Sequence, residues 1–215
     1  MNKMSEVDDV ISRLTAKQQN YLNSYFTYAP ESLKSSIQVV RMPAGTTFIQ
    51  EGAPLDKVFI LLKGSVSAVD YRVRETVYGF CHFEPIEIFG TMEILGYMSH
   101  YKTTLATTQD SLFLKIPGDA CRKWILNDVS ALRLETQRII GYLLEQSRKE
   151  RLYVMLPGNE RVYLILTNLY ETYGKRDTYS VYLSRKDFSE VTGVSERTIT
   201  RALKDLEEQK LISRD

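Results

Sequence analysis

The sequence predicts an α+β protein made of an antiparallel β-domain, a long helix and a C-terminal helix-turn-helix. Three observations carry this reading. Between Ile37 and Ile116, short apolar or alternating runs are punctuated by Gly45, Gly52, Pro54, Gly64, Pro85 and Gly90, the texture of a closed or sandwiched antiparallel sheet. After Asp119 the pattern turns helical, and only Gly141 interrupts it before Leu156. Finally, Leu183 to Glu207 reads as two capped helices around a turn glycine.

Composition narrows the function classes before any motif is read. With 215 residues, 43% of them hydrophobic, the chain is large enough for one big or two modest domains, and no apolar run approaches the ~20 residues of a membrane span. Acidic residues precede any apolar stretch at the N-terminus, so a cytoplasmic protein is expected. Cys81 and Cys121 are too few for a four-cysteine cluster and are expected as packing thiols. His82 and His100 lie far apart, so no metal site built on clustered imidazoles is expected. A net charge of +1 excludes a strongly polybasic nucleic-acid binder while leaving room for a local basic face.

Each element follows in order. Val10, Ile11 and Leu14, then Tyr21, Leu22, Tyr25 and Phe26, mark two short helices before Pro30, with Thr15 as N-cap of the second. Strands are expected at Thr47–Gln50, Val58–Leu62, Val66–Val69, Thr76–Phe80 and Ser111–Ile116. In the long helix, Leu132, Ile139 and Leu143 recur in seven- and four-residue steps, a dimer-seam pattern; the competing reading is a helix packed only on its own β-domain. Pro157-Gly158-Asn159 stops this helix, a further helix runs from about Glu160 to Tyr173, and Tyr179–Leu183 is expected as a short strand. The expected domains are 1–127, 128–156 and 157–215.

The helix-turn-helix is the most specific signal. Ser184 caps a first helix with Phe188 and Val191 inward, Gly193 supplies a left-handed turn, and Ser195 caps a second helix with Ile199, Leu203 and Leu206 inward. Arg197, Thr200, Arg201 and Lys204 then share the outward face, because they stand three and four residues apart. Such a face can enter a major groove, with Ser195, Arg185 and Lys186 available to phosphates. From Ser184 onward acids balance bases, so charge alone would also permit a solvated helix pair.

Nearly the whole chain resembles the CRP/FNR family of bacterial transcription regulators. The matching segments are Gln50-Glu51-Gly52-Ala53-Pro54, Phe59 to Val66, Ile88-Phe89-Gly90 and the helix-turn-helix. The resemblance implies a cyclic-nucleotide-binding-type β-roll (a jelly roll), a long dimerisation helix carrying Leu132, Ile139 and Leu143, and a winged helix-turn-helix. It implies a homodimer that binds double-stranded DNA, and RNA polymerase as a partner if the protein is an activator. The chain given stops at Asp215, where a wing would begin, so the wing is expected to be either rudimentary or trimmed.

Departures from the family pattern bear on the effector. Members that bind cyclic AMP place Glu after the turn glycine and an Arg-Ser pair further on; here the positions hold Thr91, Tyr101 and Lys102. A lysine does not replace bidentate guanidinium recognition of a phosphate, so an effector other than cyclic AMP is expected. The sequence has no cysteine before Cys81 and no histidine near Phe89-Gly90, so neither an iron–sulfur cluster nor haem is expected. The effector pocket is expected around Phe89, Gly90, Thr91, Tyr101 and Lys102, closed by Gln146 and Ser147. Tyr71, Tyr78, Phe80, Phe83, Phe89 and Tyr101 are read either as core or as the lining of an apolar pocket.

Two other functions compete with a DNA-binding regulator. A cupin-like metal enzyme would need several converging histidines, so no enzyme is expected. A regulatory effector-binding subunit acting through a protein partner stays open.

Overall fold

The computed structural model describes residues 3–69, 82–173, 180 and 184–213. Its packing divides into two compact units, Met1–Gly141 and Tyr142–Asp215. The boundary falls inside the long helix, so each unit owns part of it.

The first unit begins with α1 (Lys3–Ser12), α2 (Ala16–Tyr25) and α3 (Glu31–Lys34). Thr15 caps α2 in a reciprocal capping box: its hydroxyl accepts from Gln18 N–H at 3.4 Å while its own N–H donates to Gln18 Oε1 at 3.1 Å. Among the described residues eight strands follow: β1 (Gln38–Met42), β2 (Thr47–Ile49), β3 (Lys57–Lys63), β4 (Val66–Val69), β5 (His82–Phe83), β6 (Glu87–Phe89), β7 (Thr104–Thr107) and β8 (Ser111–Pro117). They form two antiparallel four-stranded sheets, ordered β1-β8-β3-β6 and β2-β7-β4-β5. Short helix α4 (Thr91–Leu95), not foreseen from the sequence, sits between β6 and β7. The expected strand at Thr76–Phe80, and Tyr71, Tyr78 and Cys81, lie outside the described residues.

The run Val58–Leu62 is buried throughout because both faces of β3 are covered. One face looks into the roll, where Phe48 meets Phe59, Phe89 and Phe113 at ring separations of 5.2, 5.7 and 4.9 Å, and Phe83 meets Phe89 at 5.3 Å. Helix α5 (Gly118–Ile125) packs against β3 and β8. Its Trp124 lies against Tyr25 and Phe26 at 5.2 and 5.4 Å, which joins the N-terminal helices to the roll.

The helical stretch from Asp119 to Leu156 is two helices: α5 ends at Ile125, and α6 starts at Val129 and runs to Met155, one residue inside each end of the long helix expected over 128–156. The break needs neither Gly nor Pro, because Asp128 acts as an N-cap. Its Oδ1 accepts from Ala131 N–H at 3.0 Å, and its Oδ2 accepts from the Trp124 indole at 2.9 Å. Among the described residues no helix is long and apolar enough to cross a membrane.

In the second unit, α7 (Gly158–Tyr173) follows α6 after only Leu156 and Pro157, two residues earlier than the sequence pattern suggested. With α8 (Arg185–Thr192) and α9 (Glu196–Glu208) it encloses a core of Val162, Ile165, Phe188, Val194, Ile199 and Ala202. Of the expected strand Tyr179–Leu183 only Ser180 is described, exposed and outside any strand; its other residues and the side chain of Val191 lie outside the described residues.

Candidate nucleic-acid interface and effector site

The turn between α8 and α9 is built as its residues require. Gly193 has φ +61°, the left-handed conformation that costs a side chain energy, and its N–H closes on Ser189 O at 2.9 Å. Ser195 caps α9 by accepting from Thr198 N–H at 3.3 Å. Ile199, Ala202 and Leu206 are buried on one face, and Leu203 is half-buried beside them. Arg197, Arg201 and Lys204 are exposed on the other. Thr200 is half-buried with its hydroxyl donating to Glu196 O at 2.8 Å, and Lys204 lies 3.6 Å from Glu208. The first residue of α8, Arg185, is exposed, whereas the side chain of Lys186 lies outside the described residues. One face of one helix thus carries three cations, two of them guanidiniums, with the capping serine at its start.

Helix α9 ends in a Schellman motif with lysine at the left-handed position. Lys210 has φ +59°, its N–H donates to Glu207 O at 2.9 Å, and Leu211 N–H donates to Leu206 O at 3.0 Å.

In the first unit, the expected effector residues are drawn toward different partners. Phe89 belongs to the aromatic filling of the roll. Gly90 has φ +98°, and a Cβ there would stand 3.0 Å from Lys57 O, so the turn excludes a side chain. Tyr101 is buried and closes on the same residue: its hydroxyl donates to Lys57 O at 2.6 Å and accepts from Lys57 N–H at 3.2 Å. Burial pushes the Tyr101 phenol up to about 12, the Lys57 N–H opposing it. Tyr101 is thus committed to backbone. Lys102 is exposed, and its N–H donates to Glu93 Oε1 at 3.3 Å. Gln146 and Ser147 belong to the second unit, half-buried and exposed.

Thr91 leads to a group of residues that the sequence reading missed. It is fully buried; its hydroxyl donates to Glu135 Oε1 and accepts from Arg138 Nη2 at 3.4 Å. Arg138 grips Glu135 with two nitrogens and pairs with Glu87 through Nη1. Burial pushes the Glu135 carboxyl up to about 7, with the Thr91 hydroxyl opposing, and lowers the Arg138 guanidinium. Among the described residues the buried hydroxyls of Tyr21 and Tyr25 find no hydrogen-bond partner, and the field of Glu135 adds to the burial that raises both phenols. An acid and a base three residues apart on a helix look like a solvated pair in sequence, and only the fold reveals that this pair is buried.

Comparison with known proteins decides what this architecture is. The cyclic nucleotide-binding domain family matches residues 39–128, and the Crp-like helix-turn-helix domain matches residues 137–215. The chain belongs to the CRP/FNR family of bacterial transcription regulators. A CRP-like cAMP-activated global transcriptional regulator from Mycobacterium tuberculosis is 26% identical over 187 residues, which are 81% of this chain and 79% of that one. The cAMP-activated global transcriptional regulator CRP of Haemophilus influenzae is 23% identical, covering 98% of this chain and 93% of its own. In fold, the CRP/FNR chain is similar to the c-di-GMP-responsive regulator CLP of Xanthomonas campestris, with a TM-score of 0.62, 19% identity and coverage of 91% and 95%. It is also similar to a CRP/FNR regulator from Eubacterium rectale, with a TM-score of 0.63, 10% identity and coverage of 95% and 88%.

Proposed function

We propose that this CRP/FNR chain works as a cytoplasmic homodimer that reads a palindromic DNA site and responds to a small effector other than cyclic AMP. The observation that carries the DNA-reading role is α9, with Ile199, Ala202 and Leu206 buried on one side and Arg197, Arg201 and Lys204 exposed on the other, where a groove could receive them. In a dimer each half-site receives one such helix, and RNA polymerase is the further partner if the outcome is activation.

The dimer is supported by the apolar surface of α6. Leu143 is 52% exposed, and beside it Ile140 and Leu144 are 50% and 65% exposed, on a helix whose Leu132 and Ile139 are half-buried. A second copy of α6 would cover this stripe. Against cyclic AMP stand Thr91 turned toward Glu135, Tyr101 tied to Lys57, and phenylalanines in contact across the roll. This reading has no iron–sulfur or haem cofactor and no catalytic role.

Selection from a random duplex library, followed by gel shift on the enriched sequence, tests the proposal. A palindrome bound by two copies of the chain is expected. Recovery of only unrelated sequences, bound no better than random DNA, would refute it.

A further inference from the structure

At the start of α7, the second unit is tied together across three helix ends. Helix α6 gives way to α7 through only Leu156 and Pro157, and among the described residues no backbone N–H donates to Leu156 O. Arg161 meets that carbonyl through Nε at 3.0 Å. Its Nη1 also donates to Thr192 O, the last carbonyl of α8, at 3.3 Å. One planar guanidinium therefore bridges the end of α6 and the end of the first helix of the helix-turn-helix, lying over Gly193 of the turn. Nearby, a Cβ on Gly158 would stand 3.0 Å from Val194 Cγ1 and 3.2 Å from Thr198 Cγ2, so α7 begins pressed against the turn and the first residues of α9.

We infer that Arg161 is a positioning residue: by bridging Leu156 O and Thr192 O it fixes the direction of the recognition helix relative to the end of α6, and so sets the half-site spacing the protein accepts. This rests on the reading of the chain as a dimeric DNA-binding regulator. The lever explains why one bridge matters. Helix α9 has 13 residues, so its far end lies about 20 Å from the turn, and a swing of about 10° moves it by about 3.5 Å, one base-pair step. The rigid fork of arginine can serve two carbonyls at fixed directions, whereas the ammonium of lysine is a point donor on a flexible stem.

The experiment uses the full chain and the selected palindrome rebuilt with its half-sites one or two base pairs closer or further apart, alongside a single half-site. Wild type, Arg161→Lys and Arg161→Met are each titrated against the series and melted without DNA. Wild type is expected to lose about tenfold or more in affinity per base pair of misspacing. Both variants are expected to keep half-site affinity within about threefold and to melt as wild type does, with a spacing profile flattened to within about threefold. A variant profile as sharp as that of wild type, or a flat wild-type profile, overturns the inference. So does a uniform loss of affinity at every spacing with early melting, which would mark Arg161 as a support of the domain and nothing more. Failure of wild type to select any DNA would overturn the DNA-reading role itself.

Discussion

Arg138 holds Glu135 from one turn further along α6, with Nη2 at 2.6 Å from Oε1 and Nε at 3.2 Å from Oε2, and the carboxylate is fully shielded from solvent. Burial raises the Glu135 carboxyl from 4.5 to about 7, so between those values the folded chain binds more protons than the unfolded one. The stability this group contributes is fully present below about pH 4.5 and is lost as pH rises through about 7, a change of up to about 3 kcal/mol. Urea unfolding of the wild type across this range is expected to show that decline, and Glu135→Gln is expected to remove it. Arg138→Met, which leaves Glu135 buried beside an absent partner, is expected to cost about 3–5 kcal/mol at pH 8.

Asp128 fixes where the long helix begins. Replacing it with Ala removes the acceptor for Ala131 N–H and for the Trp124 indole together, at an expected cost of about 1–2 kcal/mol for the cap alone. Asp128→Asn retains a side-chain oxygen for the cap and is expected to lose less than half of that. Thermal melting of both variants is the check, and equal losses would show that the carboxylate charge, not the cap, is what counts.

The dimer seam can be broken from either part of its stripe. Ile139→Asp with Leu143→Asp is expected to sediment as a monomer and to lose tight binding to the palindrome, because each buried unpaired charge costs several kcal/mol. Ile140→Asp with Leu144→Asp, placed on the more exposed residues, is expected to do the same. A dimer that survives both pairs would move the seam off α6.

The recognition helix allows base reading to be separated from phosphate anchoring. Arg201→Ala is expected to cost about 1–3 kcal/mol per half-site and to relax preference at one base pair in each half. Arg185→Ala, at the start of α8, is expected to weaken every sequence alike and to flatten the salt dependence. If Arg201→Ala weakens every sequence equally, specificity lies at Arg197.

The fold was legible where local chemistry decides it. Gly193 and Ser195 specify the turn and cap of the helix-turn-helix through their own backbone and hydroxyl, and Thr15 and Gln18 specify α2 in the same way. The start of the long helix near Asp128 was legible, but the contact that fixes it was not, because the Trp124 indole reaching Asp128 is a property of the folded chain. The effector region was legible only as a set of departures. That Tyr101 would turn to the backbone of Lys57, and that Glu87, Glu135 and Arg138 would gather at Thr91, depends on contacts between residues 44 to 51 positions apart. Seam residues Leu132, Ile139 and Leu143 came from periodicity, which could not weigh Ile140 and Leu144, because relative exposure is a property of the packed helix.

Trp124 is the single tryptophan of the chain, and the rings around it are Tyr25 and Phe26, while the roll itself is filled by phenylalanines. Light absorbed at 295 nm therefore enters the molecule at one place, the indole whose N–H ends on the residue that starts α6. The emission of this protein is a native gauge of how the start of α6 is seated on the N-terminal helices, away from the phenylalanines that fill the roll. An effector that shifts α6 will announce itself as a change of colour without any added label, and one that acts elsewhere will leave the spectrum still.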